Sequence, residues 1–179
     1  MKKIFTLLVV VFLTLAQLVA QEPTFEKGDK VLNLGIGIGS TYYASYETTQ
    51  VPPISASFEV GIVDNILEKG VIGIGGYLGY SSSKYENFWK TSHIVIGARG
   101  NFHYPLVNKL DTYTGLLLGY RIVNNKDLDA YTGNYSYSSS GIAWSWFVGA
   151  RYYFKDTFAV MAELGYGVSV LNLGIALKF

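Results

Sequence analysis

The chain has 179 residues, half of them hydrophobic and 15% charged, with a formal net charge of +1. That length accommodates one domain, and the near-neutral balance excludes the cationic surface that nucleic acid requires. There are no cysteines, which removes disulfides, thiolate metal sites and the lipid-bearing cysteine of a lipoprotein.

The first segment reads as a targeting signal. Lys2 and Lys3 precede the apolar run Ile4–Leu15, and the small residues Ala16 and Ala20 follow. A basic head, a short apolar run and small residues at the end make a secretory signal peptide. Residues 1–20 are expected to be removed, leaving Gln21 as the new terminus. Leu18 is not small, and Ala16 with Thr14 offers a second cleavage site. Residues 21–29 form a short leading segment, and 30–179 a single domain. Beyond the signal, no apolar stretch reaches the ~20 residues of a membrane helix.

From residue 31 onward the apolar residues alternate, and a period of two means strands. Leu32, Leu34, Ile36 and Ile38 share one face, with Asn33, Gly35, Gly37 and Gly39 on the other. Ile54, Ala56, Phe58, Val60 and Ile62 oppose Ser55, Ser57, Glu59 and Gly61; Ile72, Ile74, Leu78 and Tyr80 oppose Gly73, Gly75, Tyr77 and Gly79. Ile94, Ile96, Ala98, Phe102 and Tyr104 oppose His93, Gly97, Arg99, Asn101 and His103. Leu116, Leu118, Tyr120 and Ile122 oppose Gly115, Leu117, Gly119 and Arg121. Trp144, Trp146, Val148, Ala150, Tyr152 and Phe154 oppose Ser145, Phe147, Gly149 and Arg151. Phe158, Val160, Ala162, Leu164 and Tyr166 oppose Ala159, Met161, Glu163 and Gly165, and Leu171, Leu173, Ile175, Leu177 and Phe179 oppose Asn172, Gly174, Ala176 and Lys178. The pattern predicts eight strands of about 9 to 13 residues, long enough to cross a hydrocarbon core at a tilt.

One face is apolar and nearly uncharged; the other is mostly glycine, asparagine and serine with a few charges. Glycine makes a poor solubilising surface but suits the crowded interior of a small barrel. An outward charge at a bilayer midplane would cost about 2–4 kcal/mol for Lys or Arg. The apolar face is therefore expected to face lipid, in an all-β, antiparallel, up-and-down transmembrane barrel.

The outward aromatics fall at strand ends. Tyr42, Tyr80, Tyr120, Trp144 and Tyr166 lie toward one end, and Phe102, Tyr104, Tyr152, Phe154, Phe158 and Phe179 toward the other. Two such girdles mark the two interfaces of a bilayer. Connections on the terminal side are short (64–70, 105–111, 155–156). Those on the far side are longer at 44–53 and 124–140 and intermediate at 81–91, with a tight last hairpin at Gly167. The word VLNLGI occurs twice, at 31–36 and 170–175. First and last strands must pair to close a barrel and remove its edges, so both meet the same demand.

The last ten residues, VLNLGIALKF, resemble the C-terminal assembly signal of outer-membrane barrels. The mature chain as a whole resembles the small eight-stranded OmpX/OmpA-type and opacity-type barrels. This implies a place in the outer membrane of a Gram-negative cell, with both termini in the periplasm and outer-membrane lipid and lipopolysaccharide around the wall. It also implies insertion by the barrel assembly machinery, reading Leu171, Leu173, Ile175, Leu177 and above all Phe179.

Parity points Glu59, Arg99, Arg121, Arg151 and Glu163 inward, with His93, His103, Asn33, Asn101 and Asn172. Buried charges must pair or stay wet, so a network that plugs the lumen is expected. The alternative is a narrow channel for small solutes or ions, gated by exchange of Arg and Glu partners. A third reading, a secreted lipocalin-like carrier of an apolar ligand, needs the two faces inverted. Barrels that act on lipid A use a His-x-Ser pair facing the membrane, or an N-terminal amphipathic helix. Here His93 is followed by Ile94 and Val95, His103 by Tyr104 and Pro105, and 21–29 is too short. No catalytic set, metal-ligand spacing or cofactor loop is present. The other candidate surface is the outer loops, where Tyr85, Trp89, Tyr131, Tyr135 and Tyr137 stand among Ser, Asn and Gly, a composition suited to contact with an extracellular ligand.

Overall fold

The computed structural model describes residues 24–42, 48–85, 89–127 and 136–179, with the side chains of 50, 136 and 137 left aside. Residues 1–20, expected from the sequence to be a signal segment, lie outside these. Eight strands follow one another: β1 (Lys30–Ile38), β2 (Thr48–Ile66), β3 (Gly70–Tyr85), β4 (Trp89–Val107), β5 (Leu110–Asp127), β6 (Ser136–Lys155), β7 (Phe158–Tyr166) and β8 (Leu171–Lys178). Each pairs antiparallel with the next, and β8 pairs with β1 to close the barrel. Followed once around the ring, the pairing returns to β1 displaced by about ten residues. That stagger tilts the strands, and eight of them leave an interior that side chains fill.

The two copies of the repeated word meet at the seam. Gly35 faces Gly174, Leu34 faces Ile175 and Ile36 faces Leu173. Glycine is required at this crossing: a Cβ on Gly174 would fall 2.0 Å from the Leu34 carbonyl oxygen.

Alternation separates the faces cleanly. In Leu116-Leu117-Leu118 the outer two are 60% and 66% exposed and the middle one 3%. Ile36, Ile96, Ile142 and Leu164 are likewise exposed, while Val31, Val95, Ala159 and Ala176 are buried inside. The apolar face is thus the outer wall, as lipid requires, and the inverted arrangement of a soluble carrier does not occur.

The strands run farther than their hydrophobic pattern. β3 and β4 stay paired out to Tyr85–Trp89, and β5 and β6 out to Lys126–Ser136. Residues 81–85, 89–91, 124–127 and 136–140, expected in connections, therefore lie in strands. Above the apolar belt both faces are polar, so the alternation disappears, yet the backbone ladder needs no alternation to continue.

The described residues start and finish at one end, where Lys178 meets Thr24, called the base here; the opposite end is the mouth. The base has tight turns at 67–69, 108–109 and 156–157. At the mouth Gly39 takes φ +69° and turns the chain inward. Residues 40–42 then lie against the last hairpin, where Thr41 N–H donates to the Gly167 carbonyl at 3.1 Å and Val170 N–H to the Gly39 carbonyl at 3.2 Å.

Candidate functional site

The lumen holds two layers of charge. Nearer the base, β2 supplies Glu59, β4 His103, β5 Asp111 and β6 Arg151, all at most 2% exposed. Arg151 bridges two acids, through Nη2 to Glu59 Oε2 at 2.5 Å and Nη1 to Asp111 Oδ2 at 3.0 Å. His103 bridges the same two, with Nε2 2.7 Å from Glu59 Oε1 and Nδ1 2.8 Å from Asp111 Oδ1. Arg151 and His103 thus each hold the same two acids from different sides. Asn101 donates to Glu59 Oε1 at 2.7 Å.

The second layer centres on Glu163 of β7. Its Oε1 accepts from Arg99 Nη2 at 2.6 Å and from the Tyr113 hydroxyl at 2.8 Å, and its Oε2 from Asn172 at 3.3 Å. Arg99 also reaches Ser57 Oγ at 3.3 Å, and its guanidinium lies 3.9 Å from the Phe147 ring centroid. Tyr113 joins the layers, since Arg151 sits 4.5 Å from its ring centroid. Space for these side chains comes from glycine. A Cβ on Gly73 would meet Glu59 Oε1 at 2.3 Å, and one on Gly149 would meet the Tyr113 ring at 2.6 Å.

Each end of the lumen is covered. At the base, the segment before β1 folds under the barrel: Gly28 N–H donates to Gly61 O, and Lys178 Nζ holds Thr24 O at 3.1 Å and Asp29 Oδ2 at 3.2 Å. This inserts Phe25, 2% exposed, with its ring stacked 4.1 Å from His103. At the mouth, Tyr42 and Val168 pack on a cluster that includes Tyr77, Val95 and Phe147. Burial pushes the Tyr42 hydroxyl above its usual pKa, and the Arg121 cation, 4.4 Å from the ring centroid, pulls it back in part. Between layers and mouth is a cavity of about 20 Å³, lined by Arg99, Glu163, Phe147 and Val168 among others. That is room for one water molecule.

The structure thus brings Glu59 together with Arg151, and Arg99 with Glu163. Arg121 stands apart, half-buried, and makes no ion pair among the described residues. Tyr42, expected in the outer aromatic ring, is turned over the mouth instead, because the positive φ of Gly39 breaks the alternation. Sequence reasoning missed Asp111, Tyr113 and Phe25. Asp111 fell in an expected turn, but extending the parity of Gly115 back through Tyr113 to Asp111 would have placed both inside.

Among the girdle residues Tyr120, Trp144, Tyr166, Tyr152 and Phe154 are exposed, and Tyr80, Phe102, Tyr104 and Phe158 half-exposed. Trp144 stacks on Tyr166 at 5.1 Å, and Tyr152 meets Phe154 edge-on at the same distance. In β8, Leu173 and Ile175 are exposed, Leu171 and Leu177 half-exposed, and Phe179 beyond it is 72% exposed. Tyr85 and Trp89 face each other across the β3–β4 hairpin. Tyr131 and Tyr135, and the side chain of Tyr137, lie outside the described residues.

No family model matches the chain, and no curated protein matches it. Solved structures do. The chain is similar to the N-terminal β-barrel domain of Pseudomonas aeruginosa OprF, at 14% identity and TM-score 0.51, over 86% of this chain and 98% of that one. It has the fold of the small transmembrane β-barrels. The same fold is shared with Ail, the attachment invasion locus protein of Yersinia pestis, solved in complex with the heparin analogue sucrose octasulfate (11% identity, TM-score 0.53, 86% and 99% covered). A de novo designed transmembrane β-barrel matches at 18% identity and TM-score 0.50, over 86% of this chain and 98% of that one. In this transmembrane barrel the two buried charge layers gather Glu59, His103, Asp111, Arg151, Arg99 and Glu163 inside the wall.

Proposed function

We propose that this is a non-catalytic integral protein of the outer membrane, its lumen plugged by the Glu59–Arg151 and Arg99–Glu163 layers, which acts through its outer loops in surface interaction or envelope structure. The observation that carries the reading is the cavity of about 20 Å³ left between the second layer and the mouth. An ion path requires continuous water, and a lumen with room for a single water molecule there does not hold it. The base lies in the periplasm on this reading, with Leu171, Leu173, Ile175, Leu177 and Phe179 presented to the barrel assembly machinery. Lipopolysaccharide as a neighbour is supported by a facing pair of lysines. Lys90 stands opposite Lys126, four positions beyond Ile94–Ile122 and of the same outward parity. Like charges set directly opposite destabilise a sheet, a cost that anionic headgroups around the wall offset.

Single-channel conductance of the refolded protein in a planar bilayer tests the plug, with a Glu59→Ala/Glu163→Ala double variant in parallel. A silent wild type, shown to be folded by its shifted gel mobility before heating, is expected. Discrete steps from the wild type would replace the plug with the gated channel. Removal of residues 128–135 tests the loops: unchanged adhesion to a surface ligand, with normal insertion, would end the binding role.

A further inference from the structure

We propose that the base of the barrel carries a site for a phosphate group borne by a membrane phospholipid, held by Lys109, Lys155 and Lys178. The inference rests on the reading that the wall is embedded in lipid. Three separate elements converge here. The β4–β5 turn presents Lys109, whose own φ of +62° bends the chain; the end of β6 presents Lys155; and the end of β8 presents Lys178. Together they line a cavity of about 240 Å³. That is many times the ~10–15 Å³ that a single water needs, and enough for a phosphate and the first atoms of its ester.

Charge decides the class of ligand. Lys109 and Lys155 are exposed and make no ion pair among the described residues. Lys178 is tied to Asp29 and the Thr24 carbonyl but keeps a third N–H. Asp156 also lines the cavity. With Lys178 balanced by Asp29, one positive charge is left over, which matches the single negative charge of a phosphodiester. The cavity wall further includes Tyr153, 3% exposed, whose hydroxyl has no hydrogen-bond partner among the described residues. A bound oxyanion, or the water it orders, would satisfy that donor.

Position decides the source. Phe154 lines the same cavity and is 58% exposed on the outer wall, beside Tyr152. The site therefore opens where the lipid-facing surface ends, within reach of a headgroup whose acyl chains lie along the wall. Ammonium groups are suited to this role as compact, flexible point charges on phosphate.

The test is native mass spectrometry of the full refolded chain released from detergent micelles containing phosphatidylglycerol. The comparison proteins are a Lys109→Ala/Lys155→Ala variant and a Lys27→Ala/Lys69→Ala control, whose lysines line a different cavity of the base beside Glu26, Asp64 and Glu68. We expect the wild type and the control to retain one phospholipid, and the base variant to lose roughly tenfold in occupancy, since two phosphate contacts are removed. Broadening of the phosphorus resonance of inorganic phosphate, without phospholipid retention, would overturn the lipid assignment in favour of a free anion. Equal retention by all three proteins would overturn the site. Gel mobility before heating scores folding separately, so a wild type that never folds in detergent refutes the barrel reading, whereas a folded wild type retaining nothing refutes the site alone.

Discussion

Replacing Arg151 with methionine would test the lumen where it is most tightly specified. Arg151 is fully buried, and it bridges Glu59 at 2.5 Å and Asp111 at 3.0 Å. Methionine retains much of the bulk and removes the charge, leaving two carboxylates to share His103. Breaking a buried pair from one side costs about 3–5 kcal/mol, because the remaining charge stays desolvated. Arg121→Met is the internal comparison. That arginine is half-buried and stacks on Tyr42 without an ion pair among the described residues, so its loss should cost about 0.5–1 kcal/mol. Urea unfolding of the barrel in lipid vesicles, followed by tryptophan fluorescence, measures both. A third variant, Glu59→Gln/Arg151→Met, leaves Asp111 facing His103 and restores charge balance in the layer. It should be more stable than Arg151→Met alone, despite carrying one more substitution. If Arg151→Met and Arg121→Met cost the same, or the double variant falls below the single, the layer is not held by charge pairing.

Ile96→Arg places a charge on the outer wall at a site now 57% exposed and should lower membrane stability by about 2–4 kcal/mol, read as a smaller folded fraction in vesicles. Gly149→Val should prevent the barrel from reaching its heat-resistant form in the gel-mobility assay, because the first added carbon would already sit 2.6 Å from the Tyr113 ring. Phe25→Ala removes the ring stacked on His103 and should cost about 3 kcal/mol, while exposing the base layer to faster amide exchange. Raising the pH should weaken the mouth. Tyr42 has its pKa raised by burial, so its contribution is complete below pH ~10 and fades as pH climbs through the higher folded value. Tyr42→Phe should reduce that alkaline dependence in an unfolding series, and an unchanged dependence would place the sensitive group elsewhere.

Strand number, faces and closure were legible because each rests on a period of two repeated eight times, and a one-residue slip would have put leucine inside and arginine in lipid. Which charges meet was not legible. Parity fixes a direction but not a height, and the height of Arg99 relative to Glu163 depends on the stagger accumulated across three strand pairs. Arg121 has the same parity as Arg99 and Arg151, yet it lies near the mouth beside Tyr42 rather than in either layer. Phe25 was out of reach for a different reason. It belongs to no strand, and its burial follows from a turn tied by Gly28, Asp29 and Lys178. The polar ends of β3 to β6 were hidden because wet strands carry no hydrophobic signature.

At the seam, the Phe179 N–H donates to the Lys30 carbonyl at 2.9 Å, so the two ends of the barrel chain sit side by side as if a bond had been left out of a ring. In topological terms the ring has rotational freedom of origin. A circular permutant joined by a short linker from 179 to 24, and opened at the turn 67–69, would keep every strand neighbour and both charge layers. Its chain would begin at β3 and end at β2, and the segment that now reaches under the base would become an internal loop. Refolding in detergent would then depend on the order of the strands around the ring rather than on which of them comes first.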